Sequence, residues 1–429
     1  MKLILGILSS LLISVSALGQ SRQEVVDFQE QFNAWLTANN QEIMLQHFSN
    51  EFVKQLDSVR LSETMIGLEK QFGTIASIAP QPVRYEAPYW VIENLCTFSK
   101  GGVLKLRYAV NKRLKLEGLF FLPSPTEKAP YSNPAWLSTP AKEVDVVIGE
   151  KTEFPLPGKW IATEDKDRVV IFIHGSGPND MDETIYSNRP FYELAQGFAQ
   201  QGIASIRYNK RTFEHPQKFK SDTPTIGIET LEDVKLAVQL ARNQGYSKIF
   251  LFGHSLGGMV TANLVNELSL AGGITFGAPY SDLEDLILYQ MDYLGEADKE
   301  EMKELAFQVE NAKNAKANAD LKKDAFPFAI GAQYWISLHD LHHRSAFEQC
   351  AAPLMLAFGG KDYQVPTKEF KKWKKVLKSK AQVKVVSFPN LNHLLMPSDG
   401  SMKPSEYEKP NHIELSTIST MASWIKKHN

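Results

Sequence analysis

The chain has 429 residues, of which 43% are hydrophobic and 22% are charged, proportions typical of a folded globular protein. This composition excludes a disordered chain, a collagen-like repeat and a polytopic membrane protein. Lysine and arginine number 47 against 49 aspartates and glutamates, so the net charge of -2 gives no field suited to nucleic acid or an anionic membrane. The length predicts two domains of unequal size. The two cysteines, Cys96 and Cys350, are interpreted as separate small hydrophobes, with a disulfide as the alternative.

The first residues have the pattern of a secretory signal peptide. Lys2 precedes an uncharged apolar run over residues 3–15, and small residues follow it. The run is too short to span a bilayer comfortably, so we predict a signal peptide over residues 1–19 and no stable membrane insertion. Cleavage would leave a mature chain that begins at Gln20 and is periplasmic or extracellular. An uncleaved N-terminal anchor is the alternative.

Residues 20–130 are predicted to form an accessory α+β domain. Apolar side chains have helical spacing over residues 22–81, and Gly101-Gly102 suits a hairpin turn between later strands. The predicted strands are residues 89–98, 104–110 and 114–122. Helices followed by antiparallel strands make an α+β unit. The unit contains no nucleophile beside an acid–base cluster, so no catalytic role is predicted for it, and a Pro- and Ser-containing stretch over residues 123–140 marks its end.

Residues 140–429 are predicted to form the second domain, in which strands alternate with helices after a hairpin at residues 155–158. The predicted strands are residues 169–173, 204–208, 249–252, 274–276, 354–358 and 383–388. The predicted helices are residues 190–200, 231–242, 367–377 and 412–427. This alternation implies a mostly parallel sheet with helices on both faces. Residues 281–350 interrupt it with helical periodicity and are predicted to be an inserted helical cap.

The strongest local signal is Gly-His-Ser-Leu-Gly-Gly over residues 253–258, between a predicted strand and a helix-forming run. A serine on a sharp strand-to-helix turn needs small neighbours on both sides, and the glycines supply them. The turn exposes the Ser255 hydroxyl at a helix N-terminus, whose dipole favours a developing anion, so Ser255 is the candidate nucleophile. We predict that His254 packs within the fold, because adjacent residues on this turn point to different sides. An ordinary glycine-rich turn is the alternative interpretation.

Three further loops follow predicted strands. His-Gly-Ser-Gly-Pro occupies residues 174–178, Asp362 follows the strand at residues 354–358, and His393 follows the strand at residues 383–388. The four loops together, in this order, resemble the α/β-hydrolase superfamily. The resemblance implies an α/β-hydrolase fold over the second domain, with a serine nucleophile, an acid and a histidine base in that chain order.

The resemblance also assigns roles to the loop residues. It places the triad acid at Asp362, with Asp282 and Asp285 as competing candidates, and the general base at His393, with His412 as the other nearby histidine. The two amides of the oxyanion hole would come from Ser176 and Leu256, and Gly177 is the alternative to Ser176. The chemistry needs no metal and no organic cofactor. His339, His342 and His343, with Asp340, lack a recognisable ligand spacing and are predicted to be solvated or packed.

Within the superfamily, residues 174–191 and 207–211 resemble exported bacterial esterases and dienelactone-hydrolase-like proteins, and they are also similar to prolyl-oligopeptidase-type peptidases. The first domain resembles the small cystatin-like domains that precede such hydrolases, and we interpret it as a substrate-shaping, docking or dimerisation module. The resemblance implies a serine hydrolase that cleaves carboxylic esters through an acyl-enzyme, with a small ester or a short peptide as substrate. The alternatives are a serine peptidase or amidase with the same triad and a binding protein that keeps the fold without activity. Predicted export disfavours a thioesterase acting on coenzyme-A thioesters.

Overall fold

The computed structural model describes residues 22–100, 102–123, 131–219, 224–295 and 297–428. The predicted signal peptide lies outside the described residues. The chain divides into two compact units, the first ending at Lys128 and the second beginning at Ala129. None of the helices in the described ranges combines the length and the apolarity that crossing a bilayer requires.

The first unit, in its described part, has four helices followed by a five-stranded antiparallel sheet. The helices are α1 Arg22–Thr37, α2 Gln41–Gln46, α3 Asn50–Gln55 and α4 Ser58–Phe72. The strands are β1 Ile75–Pro80, β2 Arg84–Glu86, β3 Tyr89–Phe98, β4 Val103–Val110 and β5 Leu116–Pro123. The strand order is β1-β3-β4-β5, and β2 pairs with β3. An antiparallel sheet with helices against it is the predicted α+β arrangement.

The core of the first unit lies between α1 and the sheet. Val25, Phe28 and Phe32 recur at helical spacing on α1 and are buried against Ile92 and Tyr108 of the sheet. The prediction of helix up to residue 81 is wrong for β1, which pairs antiparallel with β3. The helix α4 ends at Gly73, whose φ of 83° is a conformation that glycine adopts without steric cost.

The second unit is built on an eight-stranded mixed sheet. Its strands are β6 Val144–Ile148, β7 Leu156–Ile161, β8 Arg168–Ile173, β9 Ala204–Tyr208, β10 Lys248–His254, β11 Gly272–Phe276, β12 Leu354–Gly359 and β13 Val383–Phe388. The strand order is β6-β7-β9-β8-β10-β11-β12-β13. The pairs β6-β7 and β7-β9 are antiparallel, and the remaining strands run parallel from β9 to β13.

Helices cover both faces of this sheet. They are α5 Pro190–Gln200, α6 Arg211–Glu214, α7 Glu232–Asn243, α8 Leu256–Glu267, α9 Leu283–Leu294, α10 Lys299–Lys313, α11 Ala332–His339, α12 His343–Gln349, α13 Thr367–Val376 and α14 Leu415–Lys427. On β8, Ile171 belongs to a core shared with α7 and α8, whereas its neighbour Phe172 belongs to a core shared with α5 and α14. Both faces of the sheet are therefore buried, which explains the continuous apolar runs of the central strands.

The helices α9 to α12 lie between β11 and β12, in the segment predicted to be an inserted cap. A capping box at Asp298 and Glu301 begins α10, and Gly295, with φ of 64°, follows α9. A π-helical turn over Gly227–Leu231 precedes α7, where the sequence predicts only the start of an ordinary helix. The carboxyl ends of β8, β10, β12 and β13 meet at one edge of the sheet, and the four loops singled out in the sequence follow these ends.

Candidate active site

Ser255 occupies a strained turn between β10 and α8, with φ of 52° and ψ of -117°. Such a backbone conformation is uncommon for a residue with a side chain and occurs at functional sites. The flanking glycines are sterically required: a Cβ at Gly253 would overlap Thr261 Oγ1 and the Gly257 carbonyl, and one at Gly257 would overlap the carbonyls of Ile173 and His174. The turn is held in the sheet by the Ser255 N–H, which donates to the Phe276 carbonyl at 2.9 Å.

We expect Gly257→Ala to lower the free energy of unfolding by about 1–3 kcal/mol, because the added methyl group displaces backbone rather than a flexible side chain. The clash with the His174 carbonyl, 2.6 Å from the new Cβ, also shifts the turn that carries Ser255. Urea denaturation followed by tryptophan fluorescence measures the change. Gly67→Ala in α4 is the control, since its Cβ would meet nothing within 4 Å. Equal stability of the two variants would contradict the steric requirement.

Asp362 and His393 are in direct contact. Asp362 Oδ2 accepts a hydrogen bond of 2.7 Å from His393 Nδ1, and Asp362 Oδ1 accepts the backbone N–H groups of Gln364 and Val365, each at 2.8 Å. The carboxyl group is only 1% exposed, so these three bonds take the place of water. A carboxylate on Nδ1 fixes the ring orientation and leaves Nε2 as the basic nitrogen.

The His393 loop is shaped by two neighbouring groups. Asn392 Oδ1 accepts the N–H groups of Leu394 and Met396, at 2.9 and 3.2 Å, which closes the loop around the histidine. Gly277, at the end of β11, lies close to the imidazole, since a Cβ there would be 3.1 Å from His393 Cε1. Backbone at the end of β11 therefore lies against the imidazole, and Asn392 orders the loop that carries it.

The competing acids and the competing base have other partners. Asp282 forms an ion pair with Arg344 at 2.9 Å, and Asp285 forms one with Lys313 at 2.6 Å. His412 Nδ1 contacts Glu193 Oε1 at 2.8 Å. Of the predicted acid and base candidates, the structure therefore brings Asp362 and His393 together, whereas Asp282 and Asp285 pair with basic residues elsewhere and His412 contacts Glu193.

The loop after β8 is held from two sides. The Gly175 N–H donates to Glu183 Oε1 at 2.6 Å, and the Gly175 carbonyl accepts from Lys210 Nζ at 2.9 Å. Because the N–H and C=O of one trans peptide point in opposite directions, the held carbonyl also fixes the direction of the Ser176 N–H. The loop approaches the nucleophile closely, since a Cβ at Gly175 would be 3.4 Å from Ser255 Cβ. The oxyanion roles of Ser176 and Leu256 stay predictions.

Ser255, His393 and the loop after β8 line one cavity of about 360 Å³. Its apolar wall comes from the segment between β11 and β12, through Leu283, Leu286, Ile287, Phe328 and Ile330. Within the described residues, the hydrogen bonds include none between Ser255 Oγ and the His393 ring, a contact that often forms only once substrate binds. One partly apolar cavity is thus lined by Ser255, by His393, whose ring is hydrogen-bonded to Asp362, and by the loop after β8.

A family model described as the alpha/beta hydrolase family matches residues 170–401, more than half of the chain. The chain belongs to the alpha/beta hydrolase family. The hydrolase is 31% identical over 430 residues to a protein named esterase EstD from Thermotoga maritima, an alignment covering 99% of this chain and 100% of that relative. The resemblance of the first unit to cystatin-like domains stays a prediction.

Solved structures similar to the hydrolase include an esterase and a peptidase. The Pyrococcus furiosus esterase is 16% identical, with a TM-score of 0.43, and the match covers 70% of this chain and 95% of that one. A puromycin-hydrolyzing peptidase from Mycobacterium tuberculosis is 15% identical, with a TM-score of 0.42, over 84% of this chain and 48% of that one. Similarity at this level says nothing about the activity of the hydrolase.

Two buried residues, Glu183 and His254, connect the hydrolase loops through contacts that the sequence did not reveal. His254 Nε2 donates to the His393 carbonyl at 2.8 Å, and His254 Nδ1 lies 2.9 Å from Glu183 Oε2 in an ionic contact. Burial lowers the pKa of His254, but the Glu183 carboxylate more than offsets this effect, so the pKa is raised. Burial raises the pKa of Glu183, and His254 reverses the shift, so that this pKa is lowered. His254 is buried, as the sequence predicts for a packing residue, and it also lines the cavity and connects two loops.

We expect Glu183→Gln to lower kcat of the hydrolase about tenfold and the free energy of unfolding by about 3 kcal/mol, since it removes one charge of a buried pair. The single oxygen of glutamine can accept from the Gly175 N–H, as Glu183 Oε1 does, and the NH₂ group then lies against the His254 ring in place of Oε2. The paired charges stabilise the fold above the ordinary pKa of glutamate, 4.5, and this contribution is lost as pH rises through the raised pKa of His254, which lies above 6.5. The stability difference between wild type and variant should therefore be largest between these two values.

The matched control is Glu193→Gln, which removes the carboxylate of a second Glu–His pair. Glu193 is buried and contacts His412 at 2.8 Å, away from the residues that line the cavity. Steady-state kinetics and urea denaturation should give a loss of stability in both variants but a loss of kcat in Glu183→Gln alone. Equal kcat for the two variants would mean that the Glu183–His254 pair is structural only.

The histidines considered for a metal site are held by different partners. His339 Nε2 contacts Glu284 Oε1 at 2.8 Å, and His343 Nε2 donates to the Tyr280 carbonyl at 3.2 Å. Asp340 pairs with Lys316 at 2.7 Å. Within the part of the chain that the structure describes, no group of three or more His, Cys, Asp or Glu is arranged to hold a metal ion.

Proposed function

We propose that this hydrolase cleaves carboxylic esters, with Ser255 as nucleophile, His393 as general base and Asp362 as the acid that orients the histidine. The observation that carries the proposal is the buried Asp362–His393 hydrogen bond of 2.7 Å beside the cavity that Ser255 lines. Similarity over the full length to a relative named as an esterase supports esters over other acyl compounds.

The proposed reaction begins when His393 Nε2 takes the Ser255 proton as Oγ attacks the ester carbonyl carbon. The resulting tetrahedral intermediate collapses, the C–O bond to the alcohol breaks, and the imidazolium gives its proton to the leaving alkoxide. A water molecule then repeats the sequence on the acyl-enzyme, releasing the acid and restoring the serine. Asp362 stays ionised throughout and stabilises the imidazolium that forms in each half.

The proposed oxyanion hole combines the N–H of Ser176 with that of Leu256, the first residue of α8. The first amides of a helix have no partner within the helix and carry its positive dipole end, so they suit an oxyanion. Lys210 and Glu183 support this role for the first loop, because they fix both sides of Gly175 before substrate binds. An amide held in advance need not reorganise when the charge develops.

The test is turnover of short-chain nitrophenyl esters and of the matching arylamides by the purified protein, together with labelling by a fluorophosphonate. We expect ester hydrolysis faster than amide hydrolysis, and a labelled peptide that contains Ser255. Amide rates above ester rates would favour the peptidase alternative. Turnover of no ester, with no labelling of Ser255, would favour a binding protein that keeps the fold.

We further propose that the protein is exported through the signal peptide at residues 1–19. The supporting features are the basic residue, the apolar run and the small residues of the N-terminal sequence. Mass spectrometry of the mature protein should find Gln20 at its N-terminus. Recovery of the uncleaved chain in the membrane fraction would support an anchor instead.

A further inference from the structure

The apolar wall of the cavity includes an aromatic side chain that is not packed into the core. Phe328 lines the cavity and is 64% exposed, whereas Leu286 and Ile287 on the same wall are buried. Phe326, two residues earlier in the chain, is also fully buried. A residue that lines a cavity and is mostly exposed lies where the cavity opens to solvent. Single exposed apolar residues are common on protein surfaces, so the exposure of Phe328 alone indicates no function.

The backbone of Phe328 adds a second, independent observation. Phe328 and Ala329 both have positive φ, 55° and 53°, in the left-handed region. For a bulky residue this conformation is an outlier, and glycine or asparagine would adopt it at lower cost. Residues held in such conformations cluster at active sites and at the segments that hold ligands. A role in folding explains neither the strained backbone nor the exposed ring.

The turn that carries Phe328 is held in place from both sides. Before it, Asn311 Nδ2 donates to the Ala325 carbonyl at 2.9 Å. After it, Trp335 Nε1 donates to the Ile330 carbonyl, also at 2.9 Å. The ring is therefore presented at the opening of the cavity before substrate binds. A ligand that contacts the ring does not have to order the turn, which lowers the cost of binding.

We propose that Phe328 is a specificity-determining residue that contacts the far end of an apolar chain, so that the preferred substrates are esters with a medium-length hydrocarbon chain. This inference rests on the proposed function as an esterase. The inner part of the chain would lie along Leu286 and Ile287, and its end would meet the Phe328 ring. A cavity of about 360 Å³ is near the lower end of the range for ligand sites, so a chain that starts at Ser255 reaches the opening without being long. A hydrocarbon is favoured over a polar group because contact with these side chains removes apolar surface from water.

The first experiment measures kcat/KM by pH-stat for two series of alkyl esters, each below the concentration at which it aggregates. Methyl esters of linear acids, from acetate to octanoate, lengthen the acyl side. Acetates of linear alcohols, from methanol to octanol, lengthen the alcohol side. In one of the two series we expect kcat/KM to rise about fourfold for each methylene group that becomes buried, and to level off once the chain has passed Phe328. The series that shows the rise assigns the chain to the acyl or the alcohol side.

The second experiment repeats both series with Phe328→Ala. The ratio of kcat/KM for the best ester to that for methyl acetate should fall about fivefold or more, because the end of the chain then stays in water. Ratios within one variant cancel any loss of activity that is common to all substrates. Phe328→Leu keeps part of the apolar surface and should give an intermediate ratio.

The matched control is Phe307→Ala. It removes a ring that is 59% exposed from α10, in the same inserted segment, and Phe307 is not among the described residues that line the cavity. This variant should keep the chain-length ratio of wild type. A fall in the ratio as large as that in Phe328→Ala would overturn the inference, because loss of any exposed ring would then have the same effect.

A further variant, Phe328→Asn, separates a role in substrate binding from a role in folding. Asparagine adopts the left-handed conformation more readily than phenylalanine, and its polar side chain removes the apolar contact. Thermal denaturation should therefore give a Tm equal to or above that of wild type, while the chain-length ratio falls as in Phe328→Ala. A lower Tm with an unchanged ratio would show that the ring serves folding and would overturn the inference.

The remaining outcomes separate the inference from the proposed function. Hydrolysis of esters with equal kcat/KM at every length in both series would overturn the role of Phe328 and leave the esterase proposal standing. A chain-length preference that is unchanged in Phe328→Ala would also overturn it, by placing the contact elsewhere in the cavity. Failure to hydrolyse any ester, with no labelling of Ser255 by a fluorophosphonate, would sink both.

Discussion

We expect Ser255→Ala to lower kcat for ester hydrolysis by about 10⁴- to 10⁶-fold, because no other group can form the acyl-enzyme. Removal of one oxygen atom leaves the turn intact, since the backbone N–H of Ser255 still donates to the Phe276 carbonyl. The variant should bind substrate with a similar affinity and give no burst of the alcohol product. Active-site titration and pre-steady-state kinetics measure both effects.

The matched control is Ser269→Ala. Ser269 follows the other end of α8 and also has a positive φ, 51° against 52° for Ser255. The two variants therefore make the same chemical change in the same unusual backbone region. Activity of Ser269→Ala should stay within about twofold of wild type, because exposed substitutions away from a site are close to neutral. Turnover by Ser255→Ala at the rate of this control would refute a serine mechanism at residue 255.

The elements that position the candidate residues could be predicted because their signals are local. Helix α5 and strands β9 and β13 lie at the predicted residues, since each is a short run of apolar residues with the periodicity of its type. Strand ends in a parallel sheet gather at one edge, and the resemblance of the four loops to the α/β-hydrolase superfamily implied that Asp362, rather than Asp282 or Asp285, lies beside His393. The contact of 2.7 Å agrees with that expectation, while the catalytic roles stay predictions.

The residues that the sequence did not reveal act through partners distant along the chain. Lys210 contacts Gly175 from 35 residues away, and His254 contacts the His393 carbonyl from 139 residues away. A lysine or a glutamate in a polar stretch gives no sign that it is buried, because burial depends on which elements pack around it. The only available signal for His254 was its position next to the nucleophile.

Two elements were predicted incorrectly or in part because their structure depends on tertiary context. β1 was included in the helical pattern, yet its backbone pairs with the edge of β3, and pairing of this kind overrides weak local periodicity. The π-helical turn at Gly227–Leu231 has no periodic signature, since one residue is inserted into an otherwise regular helix start. The π-helical turn carries Glu229, so the buried contact between Glu229 and Lys210 could not be found without coordinates.

We expect Asp362→Asn to lower kcat by about 10⁴-fold at neutral pH through the tautomer of His393. The backbone N–H groups of Gln364 and Val365 both donate to Asp362 Oδ1, so the asparagine must place its oxygen there. Its NH₂ group then faces His393 Nδ1, which has to accept, and the ring proton moves to Nε2. An imidazole that carries its proton on Nε2 cannot take a proton from Ser255.

The control is Asp282→Asn, at the acid that competes with Asp362 for the role. Asp282 is partly exposed and pairs with Arg344, so its loss should change kcat by less than about threefold. Both variants should remain folded by circular dichroism, because each keeps the size of the side chain. The effect therefore distinguishes a proton held on the wrong nitrogen from a general loss of structure. A large loss of kcat in Asp282→Asn, with a small loss in Asp362→Asn, would assign the catalytic acid to the loop after β11. The observed contact between Asp362 and His393 would then not be required for catalysis.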